Sequence, residues 1–210
     1  ACAKGEQWQR ALALLSEMRE ISLDPDVISY SAGISACKKG KKWMQALCLL
    51  SIMRQTNVEV RVISYNAAVS ACGTGEQWQH ALSLIGEMRG AELEPNVISF
   101  NAGISALGTG EQWQKALSLL SEVSRDRLVP NVISYNAGVS ACEKSGQWQH
   151  ALSLMSEMRE VRVEPDVVGY STGISACAKG GQWQHALSLL SEMRMASSQP
   201  NVISYTAGIS

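Results

Sequence analysis

Residues 132–166 read VISYNAGVSACEKSGQWQHALSLMSEMREVRVEPD, and this stretch decides the fold because the chain repeats it. The tryptophans give the period, since each stands 35 residues after the one before: Trp8, Trp43, Trp78, Trp113, Trp148 and Trp183. A fixed period of about 20–50 residues is typical of solenoids, propellers and arrays. The 210 residues equal six such periods, so one repeating unit accounts for the whole chain without a second domain.

The second half of the unit has the pattern of an amphipathic helix. Its apolar residues recur at i, i+3, i+4, i+7 and i+10, as Trp148, Ala151, Leu152, Met155 and Met158. This spacing predicts one apolar stripe along a helix of about three to four turns. Pro165 then prevents the chain from continuing as a helix. The tryptophan opens this helix and is most simply a packing residue, although it could also stack on a nucleic-acid base.

The first half of the unit is predicted to be a second helix, although its opening Val-Ile-Ser-Tyr could also begin a strand. Ser134 is a favourable N-cap, and Tyr135, Val139 and Cys142 recur at helical spacing. Gly138 belongs to a position that is always small, with Gly33, Ala68, Gly103, Gly173 and Gly208 as its equivalents. We therefore expect another helix to pass close by. Each unit becomes a helical hairpin that buries its apolar faces only by stacking, so the fold class is all-α.

Five of the six cysteines are also in phase: Cys2, Cys37, Cys72, Cys142 and Cys177. Leu107 takes the same position in the remaining repeat, and a position that accepts Cys or Leu is an apolar core position. Stacked helices lie roughly 10 Å apart, whereas a disulfide needs Cα atoms within about 7 Å. We expect reduced, buried cysteines, with a disulfide or metal ladder as the alternative.

Composition and charge exclude some classes of protein. The formal net charge is −1, so charge alone does not point to nucleic acid. No apolar run approaches the roughly 18 residues of a membrane span, so no membrane insertion is expected. We find no zinc-deaminase motif, phosphate loop or catalytic triad, and His80, His150 and His185 are a repeat apart, too far to share a metal. We expect no cofactor, no metal site and no enzyme activity.

The repeat ends resemble the pentatricopeptide repeat (PPR) family, and specifically its 35-residue P-type repeats. The matching stretches are PDVISYS at 25–31, PNVISFN at 95–101, PNVISYN at 130–136, PDVVGYS at 165–171 and PNVISYT at 200–206. Tetratricopeptide repeats have a similar period of about 34 residues but match less well. The resemblance divides residues 1–210, as a single solenoid, into a partial repeat 1–26, five repeats (27–61, 62–96, 97–131, 132–166, 167–201) and a partial repeat 202–210.

This resemblance implies a right-handed α-solenoid that binds single-stranded RNA, one base per repeat, in mitochondria or plastids. In the family, a polar residue of the first helix and the last residue of the same repeat select the base. The corresponding pairs are Ser31/Arg61, Asn66/Asn96, Asn101/Asn131, Asn136/Asp166 and Ser171/Asn201, with Thr206 in the last partial repeat. By the family's code these pairs imply the preference any–pyrimidine–pyrimidine–U–A.

Two further rows of residues follow from the same resemblance. Aliphatic residues that would wedge between bases are Ile28, Ile63, Ile98, Ile133, Val168 and Ile203, although ordinary packing between repeats is the alternative. Lysines that would contact phosphate, or simply lie in solvated turns, are Lys4, Lys39, Lys144 and Lys179. Thr74 and Thr109 interrupt the lysine row, so we expect modest affinity.

Three departures from the family pattern stand out. Arg61 replaces the expected Asp or Asn, Gly169 replaces the Ser read above as an N-cap, and Ser124-Arg125 replaces Met-Arg. The neutral charge and the broken lysine row leave a second function open, a scaffold that binds protein partners in an organellar ribosome or other large assembly. A third is a targeting module for an enzyme domain outside these residues.

Overall fold

The computed structural model describes residues 8–196 and 202–209, and their regular structure consists of twelve helices and no strand. Their bounds are α1 Trp8–Glu20, α2 Val27–Lys39, α3 Trp43–Gln55, α4 Val62–Thr74, α5 Trp78–Gly90, α6 Val97–Thr109, α7 Trp113–Arg125, α8 Val132–Lys144, α9 Trp148–Glu160, α10 Val167–Lys179, α11 Trp183–Met195 and α12 Val202–Ile209. The all-α prediction is confirmed. The chain divides into two compact units, Ala1–Ala106 and Leu107–Ser210.

Within each unit the helices form stacked hairpins. We call the helix that begins with Val the A helix (α2, α4, α6, α8, α10 and α12) and the helix that begins with Trp the B helix. The A helices pack on the A helix of the next repeat, α2 on α4 in the first unit and α8 on α10 in the second. Each of these A helices also packs on the B helices before and after it. This is the stacking that the sequence predicted for hairpins that cannot bury their apolar faces alone.

The A helices begin earlier than the sequence suggested, and the N-cap prediction for Ser134 is wrong. Asn131 is the N-cap of α8, and its side chain accepts from the backbone N–H of Ser134 at 3.1 Å. The Ser134 hydroxyl in turn accepts from the backbone N–H of Asn131, which completes a capping box. Gly169 is therefore not a lost cap either, because Asp166 caps α10 through the Gly169 N–H at 2.9 Å.

Each hairpin turn contains one residue in the left-handed backbone region. After the A helices these residues include Lys41, Glu76 and Glu111, with Gly146 and Gly181 in the later repeats. In the first turn the N–H of Lys42 donates to the carbonyl of Cys37, the long bond of a Schellman motif. The same short turn after each of these A helices keeps the hairpins equivalent and so maintains the 35-residue period.

The core of each unit comes from matching faces of the A and B helices. Buried A-helix residues in the first unit include Tyr30, Ile34 and Cys37. The in-phase cysteines of the described residues, Cys37, Cys72, Cys142 and Cys177, are buried and free of disulfides, as predicted. Burial raises the pKa of each of these thiols to about 11, which keeps them protonated.

The small position of the A helix is explained by side chains of the B helices. A Cβ added at Gly33 would lie 2.7 Å from Leu15 and 3.1 Å from Leu49, and one at Gly138 would lie 3.1 Å from Leu154. The close approach that we expected from a neighbouring helix is thus made by leucine side chains, not by a helix backbone.

Trp8, Trp43 and Trp148 pack between repeats, whereas Trp183 is 63% exposed. A Cβ added at Gly40 would lie 2.5 Å from the Trp8 ring, and one at Gly75 would lie 2.4 Å from Trp43. The exposed histidines, predicted as surface residues, lie against the tryptophan of the repeat before, with ring centres 5.2 Å apart for Trp43 and His80. None of the described helices is both long and apolar enough to span a bilayer.

Candidate nucleic-acid interface

The predicted base-selection residues lie at the N-terminal turns of the A helices. The last residue of a repeat immediately precedes the next A helix, and in the described residues Asp26, Asn96, Asn131 and Asp166 cap that helix through their side chains. Capping fixes one side-chain oxygen of each residue on backbone N–H groups. The remaining polar atoms stay near the helix end.

Two of the predicted pairs are joined by a hydrogen bond in the structure. The amide of Asn66 donates to Oδ1 of Asn96 at 3.3 Å in the first unit. In the second unit the amide of Asn136 donates to Oδ1 of Asp166 at 2.9 Å. Residues 30 positions apart in sequence therefore form one polar pair, whose amide and carboxylate groups fit the donors and acceptors of a base edge.

The Asn66 and Asn136 side chains each keep one polar atom unsatisfied. Their Oδ1 atoms are buried and have no hydrogen-bond partner among the described residues. A buried acceptor without a donor costs about 1–3 kcal/mol, so these two oxygens make their helix ends less stable than full pairing would. Gly169 provides the space for Asn136, because a Cβ at that position would lie 2.6 Å from its Oδ1.

The predicted pair Ser31/Arg61 is arranged differently. The Ser31 hydroxyl shares a hydrogen bond with Ser64 at 2.9 Å, while Arg61 donates to Glu59 at 2.7 Å. Ser171 is buried and shares a hydrogen bond with Ser204 at 3.3 Å; its predicted partner Asn201 lies outside the described residues. Asn101 is buried and Asn131 is exposed, and exposed Thr206 donates to the carbonyl of Val202. The structure thus joins the Asn/Asn pair 66/96 and the Asn/Asp pair 136/166, and it directs Arg61 to Glu59.

The predicted wedge residues are exposed rather than packed between repeats. Each is the second residue of an A helix, and the described side chains are Ile28, Ile63, Ile98, Ile133 and Val168. Their exposed fractions range from 59% to 77%, whereas Ile104 on the same helix as Ile98 is fully buried. The side chain of Ile203 lies outside the described residues. Each described wedge residue thus leaves an apolar side chain in solvent at the start of its A helix.

The predicted phosphate-contacting lysines are exposed at the ends of the A helices. Lys39, Lys144 and Lys179 are exposed, and Lys4 lies outside the described residues. Lys179 forms an ion pair with Glu143 at 2.6 Å. This ion pair partly neutralises a charge that a phosphate contact at Lys179 would use.

The capping role of the repeat's last residue was missed by the sequence reasoning. Its signal was present in the letters Asn-Val-Ile-Ser at 131–134, because Asn and Ser three residues apart can form the reciprocal bonds of a capping box. The same residues therefore hold the helix start and present polar atoms to one side of it.

The helical hairpins, their period and the polar pairs define an α-helical repeat protein of the hairpin class. Profiles of pentatricopeptide repeats match three parts of the chain: "PPR repeat" at residues 1–23, "Pentatricopeptide repeat domain" at 48–110, and "PPR repeat family" at 130–179 and 165–210. The chain belongs to the pentatricopeptide repeat family, as the resemblance in its sequence predicted. No curated protein sequence compared with the chain matches it.

Solved structures of this family are similar to the chain along most of its length. The crystal structure of the pentatricopeptide repeat protein PPR10 from maize is 25% identical, with a TM-score of 0.73, and the match covers 98% of this chain and 29% of that one. PPR10 in complex with an 18-nt psaJ RNA element is 20% identical with a TM-score of 0.58, covering 96% of this chain and 34% of that one.

The PPR domain of the Arabidopsis thaliana protein-only RNase P 1, in complex with tRNA, is 16% identical with a TM-score of 0.68. That match covers 82% of this chain and 91% of the other. The chain spans about a third of the length of the PPR10 chains that it matches.

Proposed function

We propose that the chain binds single-stranded RNA along the N-terminal turns of its A helices, with one base at each repeat. One observation carries this proposal: an exposed aliphatic residue and a polar pair recur together at the same helix end. Ile63 precedes Asn66 by three residues, and Ile133 precedes Asn136 by three. Residues three apart lie on one face of a helix, so the repeats of Asn66 and Asn136 each offer an apolar surface to a base and a hydrogen-bonding group beside it.

Single-stranded RNA fits this arrangement better than a duplex does. Sequence-specific RNA recognition uses unpaired bases, which can be splayed out and contacted on their Watson–Crick edges. Repeat proteins with two or three base-contacting side chains per repeat are a known class of RNA readers. PPR10 bound to a psaJ RNA element and the RNase P domain bound to tRNA support the same ligand class here.

We also propose which bases the repeats prefer and in which cellular process the chain acts. By the family code, the pairs of repeats one to five favour any base, pyrimidine, pyrimidine, U and A in the 5′ to 3′ direction. The joined pairs Asn66/Asn96 and Asn136/Asp166 carry the second and fourth positions. We further propose an organellar role in RNA processing, stability or translation, in line with the family.

Binding of the 210-residue chain to a labelled RNA that carries ACUUA, beside a control that carries the shuffled UAAUC, tests the proposal across a salt series. We expect tighter binding of ACUUA and an affinity that falls with salt, because phosphate contacts release counterions. The double variant Asn66→Ala/Asn136→Ala should lose the preference. Gln149→Ala, which changes an exposed polar residue of α9, should retain it.

Two outcomes would contradict the proposal. Equal binding of the two RNAs would remove the base preference. No binding at low salt would remove RNA as the ligand and favour the scaffold alternative.

A further inference from the structure

The B helices of successive repeats are linked by arginine–glutamate pairs. Arg54 of α3 pairs with Glu87 of α5, and Arg159 of α9 pairs with Glu192 of α11 at 2.6 Å. The arginine also lies over the aromatic residue that follows it by eleven positions. The distance from the guanidinium carbon of the arginine to the centre of this aromatic ring is 5.4–5.8 Å in four repeats, those of Arg19, Arg54, Arg89 and Arg194.

Arg54 shows how one guanidinium contacts both the tyrosine and the glutamate. The guanidinium donates to the Tyr65 hydroxyl at 2.8 Å and to the carboxylate of Glu87. A planar guanidinium can lie over a ring and donate to a carboxylate at the same time, which an ammonium group does less well. The fold therefore builds a guanidinium site from one tyrosine and one glutamate, and fills it with its own arginine.

One such site in the second unit has no arginine. Ser124 follows Arg89 by 35 residues and so occupies the arginine position, which means that Val123-Ser124, and not Ser124-Arg125, replaces Met-Arg. Tyr135 and Glu157 keep the two partner positions. The Tyr135 hydroxyl now donates to Glu157 Oε1 at 3.1 Å. A cavity of about 200 Å³ is present there, lined by Leu120, Ser124, Tyr135, His150 and Glu157 among others. We call it the Ser124 pocket.

The first unit has the same cavity with the arginine in place, so the two cavities differ in which charged group is present. A cavity of about 220 Å³ lies at the equivalent positions there, lined by Arg19, Tyr30 and Ile52. In that cavity Ile52 stands at the position of the glutamate. Arg19 is present, and its guanidinium donates to the Tyr30 hydroxyl at 2.6 Å. The first-unit cavity thus lacks a carboxylate, and the Ser124 pocket lacks a guanidinium.

The Ser124 pocket also has the electrostatic character that a cation requires. Burial, followed by the negative charge of Glu157, raises the pKa of Tyr135 to about 12. The same carboxylate acts on any group that enters, and a charged hydrogen bond is roughly twice as strong as a neutral one. His150 lines the pocket but its ring lies against Trp113, with ring centres 4.5 Å apart, so it does not occupy the guanidinium position.

We propose that the Ser124 pocket binds the guanidinium group of an arginine side chain that a protein partner supplies. The guanidinium lies over the Tyr135 ring and donates to Glu157, as Arg54 does with Tyr65 and Glu87. This partner site uses other residues than the proposed RNA-binding surface and stands independently of it.

The test is an NMR titration of the chain, with labelled tyrosine rings, by Nα-acetyl-arginine N-methylamide, whose only charge is the guanidinium. We expect a saturable shift of the Tyr135 signals, assigned with Tyr135→Phe, and weaker binding of the lysine analogue. Glu157→Gln should weaken binding by about tenfold or more, since a hydrogen bond to a charged group contributes roughly 1.5–3 kcal/mol. Ser124→Arg should abolish binding because its own guanidinium takes the contacts with Tyr135 and Glu157. The matched variant Glu192→Gln, in an occupied pair, should bind as the wild type does.

The absence of a saturable shift, or equal binding by Ser124→Arg, would overturn the proposal. A titration with a short Gly-Ser peptide that has one central arginine tests whether a protein or a small molecule supplies the guanidinium. Binding at least as tight as that of the capped residue supports a protein arginine, and much weaker binding would replace the protein partner by a small guanidinium compound. RNA binding by Ser124→Arg should equal that of the wild type, so failure of one proposal is distinguishable from failure of the other.

Discussion

Asn136 and Asp166, thirty residues apart in sequence, are joined by a hydrogen bond of 2.9 Å from the amide Nδ2 to the carboxylate Oδ1. The same carboxylate oxygen accepts from the backbone N–H of Gly169 at 2.9 Å and caps α10. One side chain thus fixes both the start of a helix and the orientation of the amide that we assign to base reading. The helix start and the proposed base contact therefore depend on the same carboxylate.

Replacing Asp166 by Asn tests this coupling. Asn caps a helix as well as Asp does, so the stability should stay within about 0.5 kcal/mol of the wild type. The pair becomes Asn/Asn, like Asn66/Asn96, so the fourth base preference should widen from U to both pyrimidines. RNA binding with C at that position, measured against U, checks the change.

The reciprocal variant Asn96→Asp is the matched control. It should narrow the second position from either pyrimidine to U, by about tenfold, since one good base contact gives roughly 1–3 kcal/mol of discrimination. If both variants shift the same base, or neither shifts any, the assignment of these pairs to separate bases is wrong.

The isoleucines of α6 separate binding from stability within one helix. Ile98 is 64% exposed and Ile104 is fully buried. Ile98→Ala should leave the free energy of unfolding nearly unchanged but weaken RNA binding about fivefold, the loss expected when roughly 1 kcal/mol of apolar contact with a base is removed. Ile104→Ala should cost about 2–5 kcal/mol of stability by leaving a cavity. Urea unfolding and RNA titration of both variants decide, and a loss of stability in Ile98→Ala would favour packing over a wedge role.

Much of the fold could be predicted from the sequence because the period is long and regular. The tryptophan spacing and the i, i+3, i+4 stripes gave the B helices, and the in-phase cysteines gave a buried core position. The A-helix start was misplaced by three residues, since Ser134 and Asn131 are both good caps. Only the backbone geometry shows which of the two occupies the cap, with Asn131 in the extended region.

The contacts between B helices could not be read from the sequence. Arg54 and Glu87 lie 33 residues apart, two less than one period, so their approach depends on how neighbouring repeats are rotated. The sequence shows that Ser124 departs from the repeat pattern. The consequence of this change depends on Tyr135 and Glu157, and only the fold brings these residues next to Ser124. The wedge role was predicted from the resemblance alone, and the structure adds that the described side chains are exposed.

Acid should selectively weaken the cap of α2. The Asp26 carboxylate accepts hydrogen bonds from the hydroxyl and the backbone N–H of Ser29, and these bonds lower its pKa below the usual 3.8. A lowered pKa in the folded state means that the stabilisation is present above the unfolded pKa and is lost as the pH falls through the folded one. The Tm advantage of wild type over Asp26→Asn should therefore shrink from pH 6 to pH 2.

Asp26→Ala provides the comparison for this cap. It removes the cap at every pH, so its deficit relative to Asp26→Asn, which keeps a neutral cap, should not vary with pH. A wild-type advantage that is constant from pH 6 to pH 2 would show that the Asp26 charge has no part in the cap.

Ser124→Arg should restore the missing arginine–glutamate pair of the second unit. Its guanidinium can reach Glu157 and the Tyr135 ring, as Arg54 reaches Glu87 and Tyr65. An exposed ion pair contributes about 0.2–1 kcal/mol, so urea unfolding should show a small gain in stability.

The pKa of Tyr135 should fall from about 12 towards its ordinary value, because a neighbouring cation favours the phenolate, as Arg159 does for Tyr170. Absorbance titration above pH 9 measures this change, and Ser124→Gln, of similar length but without charge, is the control. An unchanged Tyr135 titration in Ser124→Arg would mean that the new guanidinium stays in solvent and that the pocket does not select this group.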